Sequence, residues 1–154
     1  MGPRQASRAW LKDVADFIQA VERELGSLEA VIVYGSAAKD LQGAWSDIDV
    51  MLVSEAFKDQ PIPDRIGRLL KLAKPRIEPV GYTFKELENM VEKANPLALN
   101  ALIEGRPLKE SPRIHKLRLK ASATYVRKGR TWLPAPSPNL FKEPWRQDPL
   151  NLLI

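Results

Sequence analysis

Two short apolar segments separated by a polar loop constrain the fold of this chain most strongly. The region reads AVIVYGSAAKDLQGAWSDIDVMLV. Its apolar parts, Ala30 to Tyr34 and Ile48 to Val53, are short and rich in β-branched residues, which is typical of strands buried in a sheet. We therefore predict two neighbouring core strands, with polar residues concentrated where the first ends and the second begins.

The rest of the chain alternates helical and strand patterns. Apolar residues recur at helical spacing, and cap residues mark several helix ends, such as Gly26 after the first helix and Thr83 with Glu86 as a capping box. We predict helices over Ser7 to Leu25, Pro63 to Ala73, Thr83 to Ala94, Asn95 to Gly105 and Ser111 to about Arg127, and a third strand over Arg76 to Tyr82. The alternating order of helices and strands predicts an α/β fold.

The length and charge distribution suggest one domain with an extension. A chain of 154 residues suffices for one compact core. Residues 1–110 carry 15 Lys and Arg against 17 Asp and Glu, whereas residues 111–154 carry 9 against 2. We predict a domain over residues 1–110 and a basic helical, then Pro-rich, extension over 111–154, whose five prolines after Arg130 favour an extended arm. Its positive charge could meet phosphates, an acidic partner or only water.

The composition excludes several kinds of site. The sequence has no cysteine, so thiolate catalysis, disulfides and cysteine-zinc sites are ruled out, and its one histidine cannot form a polyhistidine centre within one chain. Any metal would be held by oxygen ligands. No apolar run reaches the roughly 20 residues of a membrane helix, and the first residues lack a signal-peptide core, so we expect a cytoplasmic protein that does not act on membranes.

Two aspartates stand at the start of the second strand. Asp47 and Asp49 are two residues apart, so in a strand they share one face, at roughly 6.5 to 7 Å along the chain. Adjacent negative charges are costly unless a cation or water compensates them, and Mg²⁺ takes carboxylate oxygens and completes its shell with substrate phosphates. The pair is therefore either a metal site or a solvated strand end.

A Gly-Ser pair ends the first strand. Gly35 lets the backbone approach a ligand closely, and if a helix begins after Ser36, the amides of Ser36, Ala37 and Ala38 can bind an anion. Alone, such a pair after a strand is most often just a turn. Together with the aspartates ten residues later, it predicts a cradle for a metal and a triphosphate.

The pattern Gly35-Ser36, ten residues, then Asp47-Ile48-Asp49 resembles the signature of the nucleotidyltransferase superfamily that includes DNA polymerase beta, and in particular its minimal prokaryotic and archaeal, antitoxin-type members. The family pattern reads G-S-x-A-R-G and S-D-I-D. Ala38 and Lys39 stand at the A-R positions, Ser46 to Asp49 match fully, and Asp40 replaces the usual glycine. The resemblance extends over about Val31 to Glu110. It implies a nucleotidyltransferase fold, that is, an α/β fold with a mixed sheet flanked by helices.

The resemblance also implies a third carboxylate on a later strand, and Glu78 matches it by position. From the residues alone, Glu78 is either this ligand or a solvent-facing charge on an edge strand marked by Pro79. The resemblance implies a site in which Asp47, Asp49 and Glu78 hold two Mg²⁺ ions, while Gly35, Ser36, Ala37, Lys39 and Ser46 bind the triphosphate. Tyr34 and Tyr82 could line the nucleotide pocket or only pack.

The implied activity is transfer of a nucleoside monophosphate, with ATP as the expected donor, to a hydroxyl, with release of pyrophosphate. The resemblance implies an acceptor such as a tyrosine on a small helical partner protein in a toxin-antitoxin pair. Self-association is also plausible. The alternative is a catalytically idle module that binds nucleotide, nucleic acid or a partner protein through the basic tail.

Overall fold

The computed structural model describes residues 10–39 and 47–136. Its main sheet has four strands in the order β3-β2-β1-β4, in which β1 is antiparallel to β2 and β4, and β2 is parallel to β3. The strands are β1 (Ala30–Tyr34), β2 (Ile48–Val53), β3 (Ile77–Tyr82) and β4 (Arg106–Glu110). The predicted bounds of the first two strands and the predicted mixed sheet are confirmed.

The helices follow the predicted order. They are α1 (Trp10–Leu25), α2 (Ile62–Leu70), α3 (Phe84–Glu92), α4 (Pro96–Leu99) and α5 (Pro112–Thr124), with short 3₁₀ turns at Gly35–Lys39 and Glu55–Phe57. The capping box at Thr83 and Glu86 is present, and Gly26 adopts φ +84° after α1, as a helix C-terminal glycine does. A π-helical turn (Asn100–Glu104) continues α4. No helix in residues 10–39 and 47–136 is both long and apolar enough to cross a bilayer.

One face of the sheet packs on α1 and forms the main core. Val14, Phe17 and Val21 recur on one side of α1 and are almost fully buried. They pack with sheet residues of alternate positions, namely Val31, Val33, Ile48, Val50, Leu52 and Ile77. This alternation turns Asp49, between Ile48 and Val50, toward the opposite face.

The region after residue 104 differs from the prediction. Residues 106–110 form β4, which the sequence did not reveal because Pro107 and three charged residues hide an edge strand. The last helix ends at Thr124 rather than near Arg127, and residues beyond it form a hairpin of β5 (Tyr125–Lys128) and β6 (Thr131–Pro134). An extended arm was thus wrong for residues 131–134, where cross-strand pairs such as Arg127 with Trp132 favour the hairpin. The rest of the predicted arm, from residue 137, lies outside the described part.

The chain divides by its contacts into a unit of residues 1–122 and a unit of residues 123–154. Within the first unit, α5 buries Ile114, Leu117 and Ala121. The predicted boundary at residue 110, between a domain and an extension, stays a prediction.

A buried arginine fixes β3 to the helices on either side of it. Arg65 of α2 is only 3% exposed and pairs with both carboxylate oxygens of Glu86, at 2.6 and 2.8 Å. It also donates to the carbonyl oxygens of Gly81 in β3 and Gln60 before α2. The guanidinium holds the pKa of Glu86 below its usual range. This arrangement satisfies a charge that would be costly if buried alone.

We predict that Arg65→Met destabilises the protein by about 3 kcal/mol, because the side chain keeps its length while Glu86 and two carbonyls lose their donors. The measurement is equilibrium unfolding by urea. Lys12→Met is the control: Lys12 is 84% exposed in its pair with Asp16, and its replacement should cost less than about 1 kcal/mol. Equal losses in the two variants would contradict the role of the buried pair.

Candidate active site

Three strands bring polar side chains into one row at one end of the sheet. Tyr34, the last residue of β1, lies opposite Asp49 of β2, and Asp49 lies opposite Glu78 of β3. Directly opposed residues point to the same face, so the three side chains share the face away from α1. The register thus brings Asp49 and Glu78 together, as a shared metal site requires. Asp47 precedes β2 and is exposed.

The turn after β1 lies directly beside this row. Gly35 adopts φ +75°, and a Cβ atom added to it would lie 2.5 Å from Oδ2 of Asp49. Glycine is therefore required both by the backbone angle and by the close approach of the carboxylate. The chain then forms the 3₁₀ turn Gly35–Lys39, in which Ala37 and Ala38 are buried. A short helical turn thus follows the first strand, which is the condition that the sequence analysis set for an anion site there.

The electrostatics of the row are unfavourable without a cation. Burial, followed by the negative charges of Glu78 and Asp47, raises the pKa of the Asp49 carboxyl. Burial and the charge of Asp49 also raise the pKa of Tyr34, so its phenol stays protonated. Clusters of carboxylates with a raised pKa are common at functional sites, because a bound cation or a proton relieves their repulsion.

A cavity of about 310 Å³ opens on the row. Its walls combine the polar side chains with an apolar side from α2 and β3, and the lining residues are Tyr34, Asp49, Ile66, Leu70, Glu78, Pro79 and Val80. Small-molecule sites commonly join an apolar wall to a few convergent polar groups. For Tyr34 and Tyr82 the sequence left open a place in the pocket or simple packing, and of the two, Tyr34 lines this cavity and Tyr82 does not.

The carboxylate oxygens fit a divalent cation that is coordinated partly by the protein and partly by a substrate. Within residues 10–39 and 47–136, no group of three or more His, Cys, Asp and Glu side chains is arranged to hold a metal alone. The facing carboxylates of Asp49 and Glu78 offer hard oxygen ligands. Mg²⁺ is usually held by one or two carboxylates, with waters and substrate phosphates completing its shell.

The structure describes most of the residues that the sequence nominated. Gly35, Ser36, Ala37, Asp47, Asp49 and Glu78 lie at this end of the sheet. Ser46 and Asp40 lie outside the described residues, as does the side chain of Lys39.

Sequence reasoning missed Arg106, the first residue of β4. Its Nη2 donates to the carbonyl oxygen of Ala38 in the turn, at 2.8 Å. Arg106 is 68 residues away from Ala38 along the chain, and it belongs to a strand that was not predicted. No local signal in the sequence links the two.

We predict that Gly35→Ala costs about 1 to 3 kcal/mol more in stability than Gly26→Ala. Both glycines have positive φ, at +75° and +84°, so the backbone strain is comparable, but a Cβ at Gly26 meets nothing within 4 Å. A Cβ atom at Gly35, in contrast, forces the Asp49 carboxylate to move. Urea unfolding of both variants measures the difference, and equal costs would show that the contact with Asp49 is unimportant.

We also predict that Asp49→Asn raises the unfolding temperature at pH 7 in the presence of a chelator. Because the folded-state pKa of Asp49 is raised, its ionised form destabilises the fold above that pKa, and the penalty disappears as the pH falls toward the usual range of aspartate, about 4. The advantage of the variant should therefore shrink on acidification. Asp64→Asn, at an exposed position of α2, is the control. A lower unfolding temperature for Asp49→Asn at pH 7 would contradict the prediction.

Comparison with known proteins identifies the family and the fold. Residues 14–111 match the family model of the nucleotidyltransferase domain, which is more than half of the chain. A search of curated proteins found no match. Among solved structures, a candidate nucleotidyltransferase from Sulfolobus solfataricus is similar in fold, with a TM-score of 0.50 and 21% identity over 56% of this chain and 78% of that chain.

The matched region runs from within α1 to the residue after β4, so it includes the whole main sheet and both Gly35 and Asp49. Membership implies a nucleotide substrate and, in most members, a divalent metal. The chain belongs to the nucleotidyltransferase domain family.

Proposed function

We propose that this protein transfers AMP from ATP to a hydroxyl group in a Mg²⁺-dependent reaction that releases pyrophosphate. The observation that carries the proposal is the register of β1, β2 and β3, in which Asp49 faces Glu78 beside the Gly35 turn and at the mouth of a cavity. Burial and the two neighbouring carboxylates, which together raise the pKa of Asp49, support a bound cation at this position.

In the proposed reaction the acceptor oxygen attacks the α-phosphorus of ATP. A bond forms between that oxygen and the phosphorus, and the bond from the phosphorus to the bridging oxygen of the β-phosphate breaks, so pyrophosphate leaves with the bonding electrons. Mg²⁺, when bound, would lower the charge on the phosphates and stabilise the attacking and leaving oxygens. Asp47, Asp49 and Glu78 are the proposed ligands of the two ions.

The individual residues have distinct proposed roles. Glu78 is more exposed than Asp49, which it faces. Its proposed role is to take the proton of the acceptor hydroxyl as a general base. The amides of Ser36 and Ala37, with Lys39 and Ser46, bind the β- and γ-phosphates. Tyr34 stays protonated beside Asp49 and can donate a hydrogen bond to the substrate.

The apolar wall of the cavity supports an acceptor that carries an aromatic or aliphatic group. Ile66, Leu70 and Val80 form this wall next to Glu78. A tyrosine presented by a helical partner protein, as in a toxin-antitoxin pair, would bring its ring against the wall and its hydroxyl toward the carboxylates. Such a partner would complete a site that is open on one side.

Binding of nucleic acid by the basic tail is less well supported. Two of the arginines of α5 are already engaged: Arg113 pairs with Glu29, and Arg118 pairs with Glu110 at 2.9 Å. These ion pairs attach α5 to the residue before β1 and to the end of β4. They also reduce the positive charge that is available to phosphates.

We predict that calorimetric titration detects ATP binding that requires Mg²⁺, and that Asp49→Asn and Asp47→Asn lower transfer to the acceptor by about 100-fold or more. Radiolabelled transfer to a purified helical protein encoded nearby measures the second effect, and CTP tests the base preference. Asp64→Asn, at an exposed carboxylate of α2, should keep full activity. Metal-independent ATP binding, or transfer that survives both active-site substitutions, would overturn the proposal.

A further inference from the structure

The strand β4 contains an irregularity that decides where Arg106 points. Along β1 and β4, Val31 pairs with Lys109, but the next residue, Ile32, pairs with Pro107, so Leu108 is an extra residue in β4. Without this bulge Arg106 would lie opposite Tyr34. With it, Arg106 lies opposite Val33.

This shift by one residue moves Arg106 to the other face of the sheet, because side chains alternate between the faces along a strand. Tyr34 belongs to the face of the carboxylate row, whereas Val33 belongs to the core face, with Ala37 of the turn. Bulges next to active sites commonly redirect a side chain in this way. The guanidinium therefore approaches the Gly35–Lys39 turn from behind, on the side away from Asp49.

The beginning of β4 is held firmly in this position. A Cβ atom at Gly105 would overlap the carbonyl oxygen of Ala101 and lie 2.7 Å from Cγ2 of Ile32, so the backbone there packs closely between the π-helical turn and β1. The Gly105 amide donates to the same carbonyl at 3.0 Å. Arg106 thus extends from a rigid point, and its Nη2 reaches the carbonyl oxygen of Ala38 at 2.8 Å.

We propose that Arg106 is a positioning residue for the triphosphate. By holding the carbonyl of Ala38, it fixes the end of the turn and keeps the preceding amides directed at the phosphates. A carbonyl that rotated toward the substrate would repel the anion, and the guanidinium prevents this while adding a positive charge behind the turn. The inference rests on the proposed function, since it requires that the turn binds phosphates.

The test compares ATP with adenosine in Arg106→Gln, Arg106→Lys and the wild type, by calorimetry with Mg²⁺ and by steady-state kinetics. We expect Arg106→Gln to weaken ATP binding and to raise the KM for ATP about tenfold or more, as loss of a charge-assisted hydrogen bond does. The kcat and the affinity for adenosine should change less than about threefold. Arg106→Lys should recover part of the ATP affinity, because it restores the charge but not the planar donor.

Arg118→Gln is the matched control. Arg118 is also partly buried and also donates to a backbone carbonyl, that of Leu102 at 3.2 Å, but its other partner is Glu110. It should lose stability and keep the affinity for ATP. Unfolding curves of all variants establish that each is folded at the assay temperature.

Three results would overturn the inference. Unchanged ATP affinity in Arg106→Gln would show that the turn does not need the arginine. Equal losses for ATP and adenosine, or an equal loss in Arg118→Gln, would show a general weakening of the fold. Absence of ATP binding in the wild type would overturn the proposed function itself, and with it the role of Arg106, so the two failures are distinguishable.

Discussion

The repulsion between carboxylates at the start of β2 is the constraint on which the rest of the structure depends. Five of the six residues of β2 are buried, and the sixth is Asp49. Burial and two neighbouring carboxylates oppose the ionisation of its side chain. A fold that keeps such a group must compensate elsewhere. The large apolar contact between α1 and the sheet supplies that stability on the opposite face, at a distance from the charges.

A second set of stabilising contacts lies at the end of the sheet away from the carboxylate row. There Arg65 joins α2, α3 and β3, and Arg113 joins α5 to Glu29 just before β1 while its guanidinium stacks over the ring of Phe84, at 4.2 Å. These contacts restrain the ends of the strands that lie opposite the carboxylate row. The site end can therefore remain open and negatively charged without loosening the strand register, and this register alone brings Asp49 to Glu78.

Features that depend on local pattern were predictable from the sequence. The bounds of β1 and β2, the capping box at Thr83 and the glycine after α1 each follow from a few adjacent residues. The resemblance implied only a third carboxylate on a later strand, and the parallel pairing of β2 and β3 is what lays Glu78 opposite Asp49. Edge strands carry a weaker signal, since half of their surface is exposed and their pairing is supplied by a neighbour. This is why the sequence analysis predicts a helix that ends at Gly105 and no strand after it.

The missed strand matters because all four strands of the main sheet contribute to the same end. β1 ends in Tyr34 and leads into the Gly35 turn, whereas β2, β3 and β4 begin there, with Asp49, Glu78 and Arg106 near their first residues. Three of these contributions are side chains that line the cavity, and the sequence singled out each of them: Asp49 by its spacing from Asp47, Glu78 by the resemblance and Tyr34 by its place before Gly35. The fourth acts from the opposite face through a backbone carbonyl, and its position depends on a bulge that no local pattern encodes. A residue that positions a ligand through the main chain is thus found only when the register of the sheet is known.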